Sequence, residues 1–178
     1  MLIRPIEKKD DLVVESIIRQ CLTEYGADHR DDTAWADPYL NRFSEFYTGV
    51  KDCYWVAEVD GTVVAGTGIG PLTGAPGICE LQKMYCLPEF RGKGIAQALM
   101  ETALEFAGKY YESCYLETMD NMDRAKAFYE KNGFTYTPET IGATGHGGCN
   151  YHYIKKLHLR QNDPELTMER CCTASSRT

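Results

Sequence analysis

The sequence predicts an α/β fold, a mixed and mostly antiparallel sheet flanked by helices, on three observations. Asp60-Gly61 joins two β-rich runs and favours a tight antiparallel hairpin. Strand-like and helix-like segments alternate twice between residues 78 and 132, which implies a parallel pair. Apolar residues recur at helical spacing in several blocks bounded by glycine.

In chain order, Leu2 to Ile6 is short and apolar before a charged stop, a first strand. Asp10-Asp11 supplies N-cap chemistry, and Val14, Ile18, Cys21, Leu22 and Tyr25 hold a helical stripe until Gly26. After an irregular polar stretch, Tyr39, Leu40, Phe43, Phe46 and Tyr47 suggest a short second helix closed by Gly49. Tyr54 to Val59 and Thr62 to Gly66 form the hairpin. Ile78 to Leu87 reads as a strand whose alternation is broken, because Glu80, Gln82 and Met84 share one face and Leu81, Lys83 and Tyr85 the other. A bulge or a splay explains that. Ile95, Ala98, Leu99, Thr102, Ala103, Phe106 and Tyr110 give a helix of four turns. Ser113 to Thr118 is a buried strand, Met122 to Asn132 a helix ended by Gly133, Phe134 to Tyr136 a short strand, Gly142 to Gly148 a glycine-rich loop and Asn150 to Leu157 the last strand.

The 178 residues contain no repeat or linker, so one domain over 1–159 is expected, followed by a polar tail, 160–178. Nineteen basic against 26 acidic residues give a net charge of -7, which argues against nucleic acid as a main partner. No window approaches the roughly 18 apolar residues of a membrane span, and the first ten residues lack a signal-peptide core, so a soluble cytoplasmic chain is expected. Of eight cysteines, those at 21, 53, 79, 86 and 114 fall in apolar segments and read as buried free thiols, whereas Cys171 and Cys172 lie in the tail.

A strand leading into Arg91-Gly92-Lys93-Gly94 and then a helix can hold phosphates, because free N–H groups and the positive end of the helix dipole meet there. The Walker and Rossmann patterns both fail on spelling. Arg91-Gly92-Lys93-Gly94-Ile95-Ala96, the preceding Glu80 to Phe90, and Ala125-Lys126-Ala127-Phe128-Tyr129-Glu130-Lys131-Asn132-Gly133-Phe134 stand in register. Together they resemble three linked motifs of the GCN5-related N-acetyltransferase (GNAT) superfamily, over residues 78 to 136.

The resemblance implies acetyl-CoA as co-substrate and no metal. Its diphosphate would lie on the backbone from Gly92 through Lys93, Gly94 and Ile95 to Ala96, with charge from Arg91 and Lys93. Its pantetheine would pair with Met84, Tyr85 and Cys86 like an added strand. Many relatives carry Asn seven residues before the tyrosine. Here that position is Met122, and the neighbouring Asn121 is the candidate for the contact. Acyl transfer to an amine needs a base, an oxyanion donor and a group to meet the leaving thiolate. Glu80 matches the family's base position, the backbone N–H near Met84 would be the oxyanion donor, and Tyr129 matches the tyrosine beside the CoA sulfur. A solvated strand-edge carboxylate and a packed helix aromatic remain the alternatives for Glu80 and Tyr129.

His146-x-x-Cys149-x-x-His152 invites a metal site, but no second cluster supplies a fourth zinc ligand. The resemblance implies instead a substrate-facing loop, because in that fold the turn between the last two strands borders the acceptor pocket, with His146 at the acceptor. The resemblance also implies that the stretch Tyr25 to Tyr47 borders the acceptor from the other side, where His29, Arg30, Asp31, Asp32, Trp35 and Asp37 would help set specificity. The acceptor would be a small-molecule or peptide amine, and pairing through an exposed strand leaves a homodimer open. A non-catalytic acyl-CoA-binding module, or a transferase for another acyl chain or a hydroxyl, are the alternatives.

Overall fold

The computed structural model describes residues 1–145 and 147–158, so His146 and the tail with Cys171 and Cys172 lie outside the described residues. Its strands are β1 (Leu2–Pro5), β2 (Cys53–Val59), β3 (Thr62–Pro71), β4 (Ile78–Cys86), β5 (Ser113–Thr118), β6 (Thr135–Thr137) and β7 (Tyr151–Lys156). Three α-helices join them: α1 (Asp11–Glu24), α2 (Ile95–Ala107) and α3 (Asp123–Lys131). The sheet runs β1-β2-β3-β4-β5-β7-β6. Only β4 and β5 are parallel neighbours, joined through α2, and the other described pairs are antiparallel.

Both faces of the sheet are covered. On β2, Trp55 and Ala57 pack into the cluster under α2 and α3, whereas Tyr54 and Val56 pack into the cluster under α1. This is the two-period of a strand buried on both sides. The hairpin turn forms at Asp60 (φ 50°) and Gly61 (φ 79°), both left-handed as the dipeptide requires.

Four expectations are corrected. The second helix is a 3-10 segment, Leu40–Glu45, broken at Arg42 (φ -153°, ψ 40°), with Leu40 and Phe43 buried. The strand expected to stop at Gly66 continues to Pro71, because Gly66, Gly68 and Gly70 lie in register opposite β4. Helix α2 ends at Ala107, capped by Gly108, before Tyr110, the last residue of its stripe. Cys21, Cys79, Cys86, Cys114 and Cys149 are free thiols, but Cys53 is disulfide-bonded. Among the described residues no helix is long and apolar enough to cross a membrane.

Candidate active site

The site begins where the parallel pair fails. Strands β4 and β5 are in register at Ile78 with Ser113, Cys79 with Cys114 and Glu80 with Tyr115, and then part. The cause lies in β4. Between the pairs Gly66–Tyr85 and Gly68–Gln82, the single residue Thr67 opposes Lys83 and Met84 together, and Lys83 takes φ 50°. That is a β-bulge, and it bends the strand away from its neighbour. The Tyr54 hydroxyl donates to the Lys83 carbonyl at 3.1 Å and the Thr67 hydroxyl to that of Gln82 at 3.3 Å, so the kink is held from β2 and β3.

Beyond the bulge, the Leu87 N–H donates to the Val64 carbonyl at 3.0 Å. Alternate residues of an antiparallel ladder face the same neighbour, so Tyr85, opposite Gly66, directs its backbone groups to β3. Met84 and Cys86 therefore turn theirs toward the gap. The Cys86 carbonyl already accepts from Arg91 Nε at 2.8 Å and Cys21 Sγ at 3.5 Å. Tyr85 belongs to the site through its side chain, which lines the gap.

At the far end of the gap α2 opens from Gly92 (φ 73°) and Gly94 (φ 81°). Its first bond runs from the Ala98 N–H to the Gly94 carbonyl at 3.0 Å, and the amides before it are the donors that a helix start leaves without intrahelical partners. Gly92, Lys93, Gly94, Ile95 and Ala96 lie at this helix mouth, a backbone arrangement of the kind that can meet an anion. Arg91 has a partner that the sequence did not announce. Both ends of its guanidinium meet the Glu24 carboxylate at 2.7 Å, so it braces α1 against the loop. Lys93 Nζ stands 5.1 Å from the Phe90 ring.

Two cavities meet at the point of divergence. One, of about 80 Å³, lies in the gap and is lined by Met84, Tyr85, Met122, Tyr129 and Cys149 among others. The other, of about 440 Å³, is walled by Asp37, Tyr39, Phe43, Phe46, Tyr47 and Asp52. Glu80 and Lys83 line both. Glu80 accepts a hydrogen bond from Gln82 Nε2 at 2.8 Å, and Lys83 pairs with Asp37 at 2.6 Å. The sequence names Lys83 only within the broken alternation, because its partner Asp37 comes from a distant part of the chain.

Tyr129 is 8% exposed, packed among Phe128, Phe134 and Tyr153 at about 6 Å, and lines the gap. Burial first, then Cys149 and Tyr25, hold its phenol above the ordinary tyrosine range, so it stays protonated. Burial also pushes the Cys149 thiol up to about 11.

Other expected residues are placed elsewhere. Asn121 Nδ2 donates to the Tyr25 carbonyl at 3.1 Å, while Met122 lines the gap and accepts from the Thr118 hydroxyl at 3.3 Å. His29 and Trp35 line neither cavity: their rings meet at 4.7 Å, and Arg19 lies over the indole at 4.7 Å. The same polar stretch does reach the larger cavity, through Asp37 and the aromatic residues after it. His152 stacks near Tyr115 and Cys149 lines the gap, and among the described residues no group of three side chains could hold a metal.

A family model described as "Acetyltransferase (GNAT) family" matches residues 15–134. The uncharacterized N-acetyltransferase YjgM of Escherichia coli (strain K12) is 40% identical over 158 residues, covering 88% of this chain and 95% of that protein. Among solved structures, a GNAT-family acetyltransferase from Staphylococcus aureus Mu50 superposes with a TM-score of 0.76 at 18% identity, over 88% of this chain and 98% of that one. YncA from Salmonella typhimurium, solved with its cofactor acetyl-CoA, gives 0.70 at 18% identity over 91% and 95% of the two chains. At such identity these structures show the shared fold.

Proposed function

The chain belongs to the acetyltransferase (GNAT) family, and from that premise we propose that it moves the acetyl group of acetyl-CoA to a primary amine by direct attack in a ternary complex. One observation carries this most: a narrow cavity between parting strands and a wider acidic one share Glu80 and Lys83 where they meet.

The residues fit coenzyme A. The open edge at Met84 and Cys86 suits an amide-bearing arm that adds as a strand, and the mouth of α2 suits a diphosphate. The Arg91 brace keeps that mouth at a set distance from the strand. The thioester then lies in the gap, with Tyr129 beside its sulfur.

An acceptor amine arrives as an ammonium, with a pKa of about 10, and must lose a proton before it attacks. Glu80 takes that proton from the wider cavity. Among the described residues, that cavity's wall carries three carboxylates, Asp37, Asp52 and Glu80, against the single cation Lys83, a balance that favours a cationic acceptor. Met84 offers its N–H to the carbonyl oxygen as that atom gains charge. The Tyr129 phenol meets the departing thiolate with a proton it has retained. The volume of about 440 Å³ suits a small amine or the tip of a peptide.

Release of free thiol from acetyl-CoA, followed across a panel of amines with the native protein and Glu80→Gln in parallel, tests the proposal. Amine-dependent release, slowed about a hundredfold in the variant, is the expected result. CoA uptake with no release for any amine would make the protein a binding module instead.

A further inference from the structure

Alternate residues of a strand share a face, so Gly66, Gly68 and Gly70 lay a bare trench along β3. A methyl group at Gly66 would come within 2.6 Å of the Tyr54 hydroxyl, at Gly68 within 2.8 Å of the Tyr47 hydroxyl, and at Gly70 within 3.0 Å of Gln82 Oε1. Three polar side chains lie flat where β3 has none. They are then bonded along β4: Tyr54 bonds the carbonyl of Lys83 in the bulge, the Tyr47 hydroxyl donates to Gln82 Oε1 at 2.8 Å, and Gln82 Nε2 donates to Glu80 Oε2 at 2.8 Å.

We propose that Tyr47 and Gln82 form a positioning relay that aims the Glu80 carboxylate at the acceptor, an inference that rests on Glu80 being the base. A primary amide has a donor end and an acceptor end, and a carboxylate, which only accepts, takes the donor end. The Tyr47 phenol fixes the other end in place. It donates to the oxygen end of Gln82, which leaves the NH₂ end turned to Glu80, and successive donors polarise one another along the chain. Burial first, then the charge of Glu80, raise the Tyr47 phenol above its ordinary range, so it remains a donor. Its ring is fixed from three sides: Tyr54 at 5.4 Å, Phe43 at 6.0 Å edge-on, and the trench at Gly68. Tyr47 touches neither transferred group nor thioester in this scheme. Its ring also walls the acceptor cavity, and its hydroxyl acts on the base only through Gln82.

A double-mutant cycle on kcat separates the relay from ordinary packing. Tyr47→Phe removes one hydroxyl and keeps the ring; it is expected to lower kcat on the order of tenfold with KM for acetyl-CoA unchanged. In a Gln82→Met background the same substitution should cause no further loss, because the link is already cut. A cycle against Glu80→Gln reads the same coupling if Gln82→Met folds poorly. Equal losses from Tyr47→Phe in all backgrounds, or no loss in the native one, would overturn the relay. Unchanged turnover in Glu80→Gln alone would instead overturn the base, and the relay with it.

Discussion

Tyr129 combines two roles that a sequence cannot tell apart, since it sits on the buried stripe of α3 and also faces the gap. Tyr129→Phe keeps every ring contact, so fold and CoA affinity should persist while turnover falls about tenfold or more. Unchanged turnover would leave the residue to packing alone. Arg91 was legible as a cation at the mouth of α2, but its partner was not, because Glu24 lies on α1, 67 residues earlier. Arg91→Lys loses the two-point grip on that carboxylate and should raise KM for acetyl-CoA several-fold. Asp10 gives the acid response. Burial pushes its pKa up, but hydrogen bonds from Arg4 and the Glu7 N–H outweigh that and hold it below the ordinary carboxylate value. Its contribution is therefore complete above the unfolded pKa of about 3.9 and disappears as pH falls through the lower folded value. The midpoint of thermal unfolding should drop steeply below about pH 4, and Asp10→Asn should flatten that drop. With its side chain 4% exposed against Arg4, removing Asp10 should cost about 3 kcal/mol at neutral pH.

Elements differ in how plainly residues declare them. The hairpin at Asp60-Gly61 and the bulge of β4 were readable because each is a local rule obeyed or broken within a few residues. The end of β3 was not. Glycine ordinarily weakens a strand, and only the rings of Tyr54 and Tyr47 lying over Gly66 and Gly68 show why it is used here. The 3-10 segment escaped for the opposite reason: its apolar spacing was helical, but Asp11 of α1 captures the Ser44 N–H and hydroxyl, a tertiary bond that no spacing reveals. Gly94, at the mouth of α2, has open space around it, so a methyl there meets no atom and the penalty is one of backbone alone. Gly94→Ala should destabilise the fold by about 1–2 kcal/mol and weaken acetyl-CoA binding, read as a lower melting temperature and a higher KM.

Across the whole molecule, the parallel pair could be foreseen from the alternation of segments between 78 and 132, and so could the opening between its strands. The larger cavity could not, because its walls come from residues 37–47, 52, 70–71, 80–83 and 144–145. Only the folded chain brings those together. The two halves of the sheet, β1 to β4 and β5 to β7, share three register pairs, so a molecule lying across both should tighten the whole. At a hundredfold excess over its dissociation constant, CoA should add about 2.7 kcal/mol to stability. No rise in the unfolding midpoint at millimolar CoA would contradict the proposed binding mode.

The parting of β4 from β5 also inverts a familiar pattern of deuterium uptake. Strands in the middle of a sheet usually surrender their protons last, because each is locked on both sides. Here the central strand bears an unlatched seam, so the Met84 and Cys86 amides should take up label faster than those at Leu81 or Tyr85 beside them. Ligand closing that seam should slow the two amides selectively, giving a direct, residue-resolved record of the pantetheine's seat.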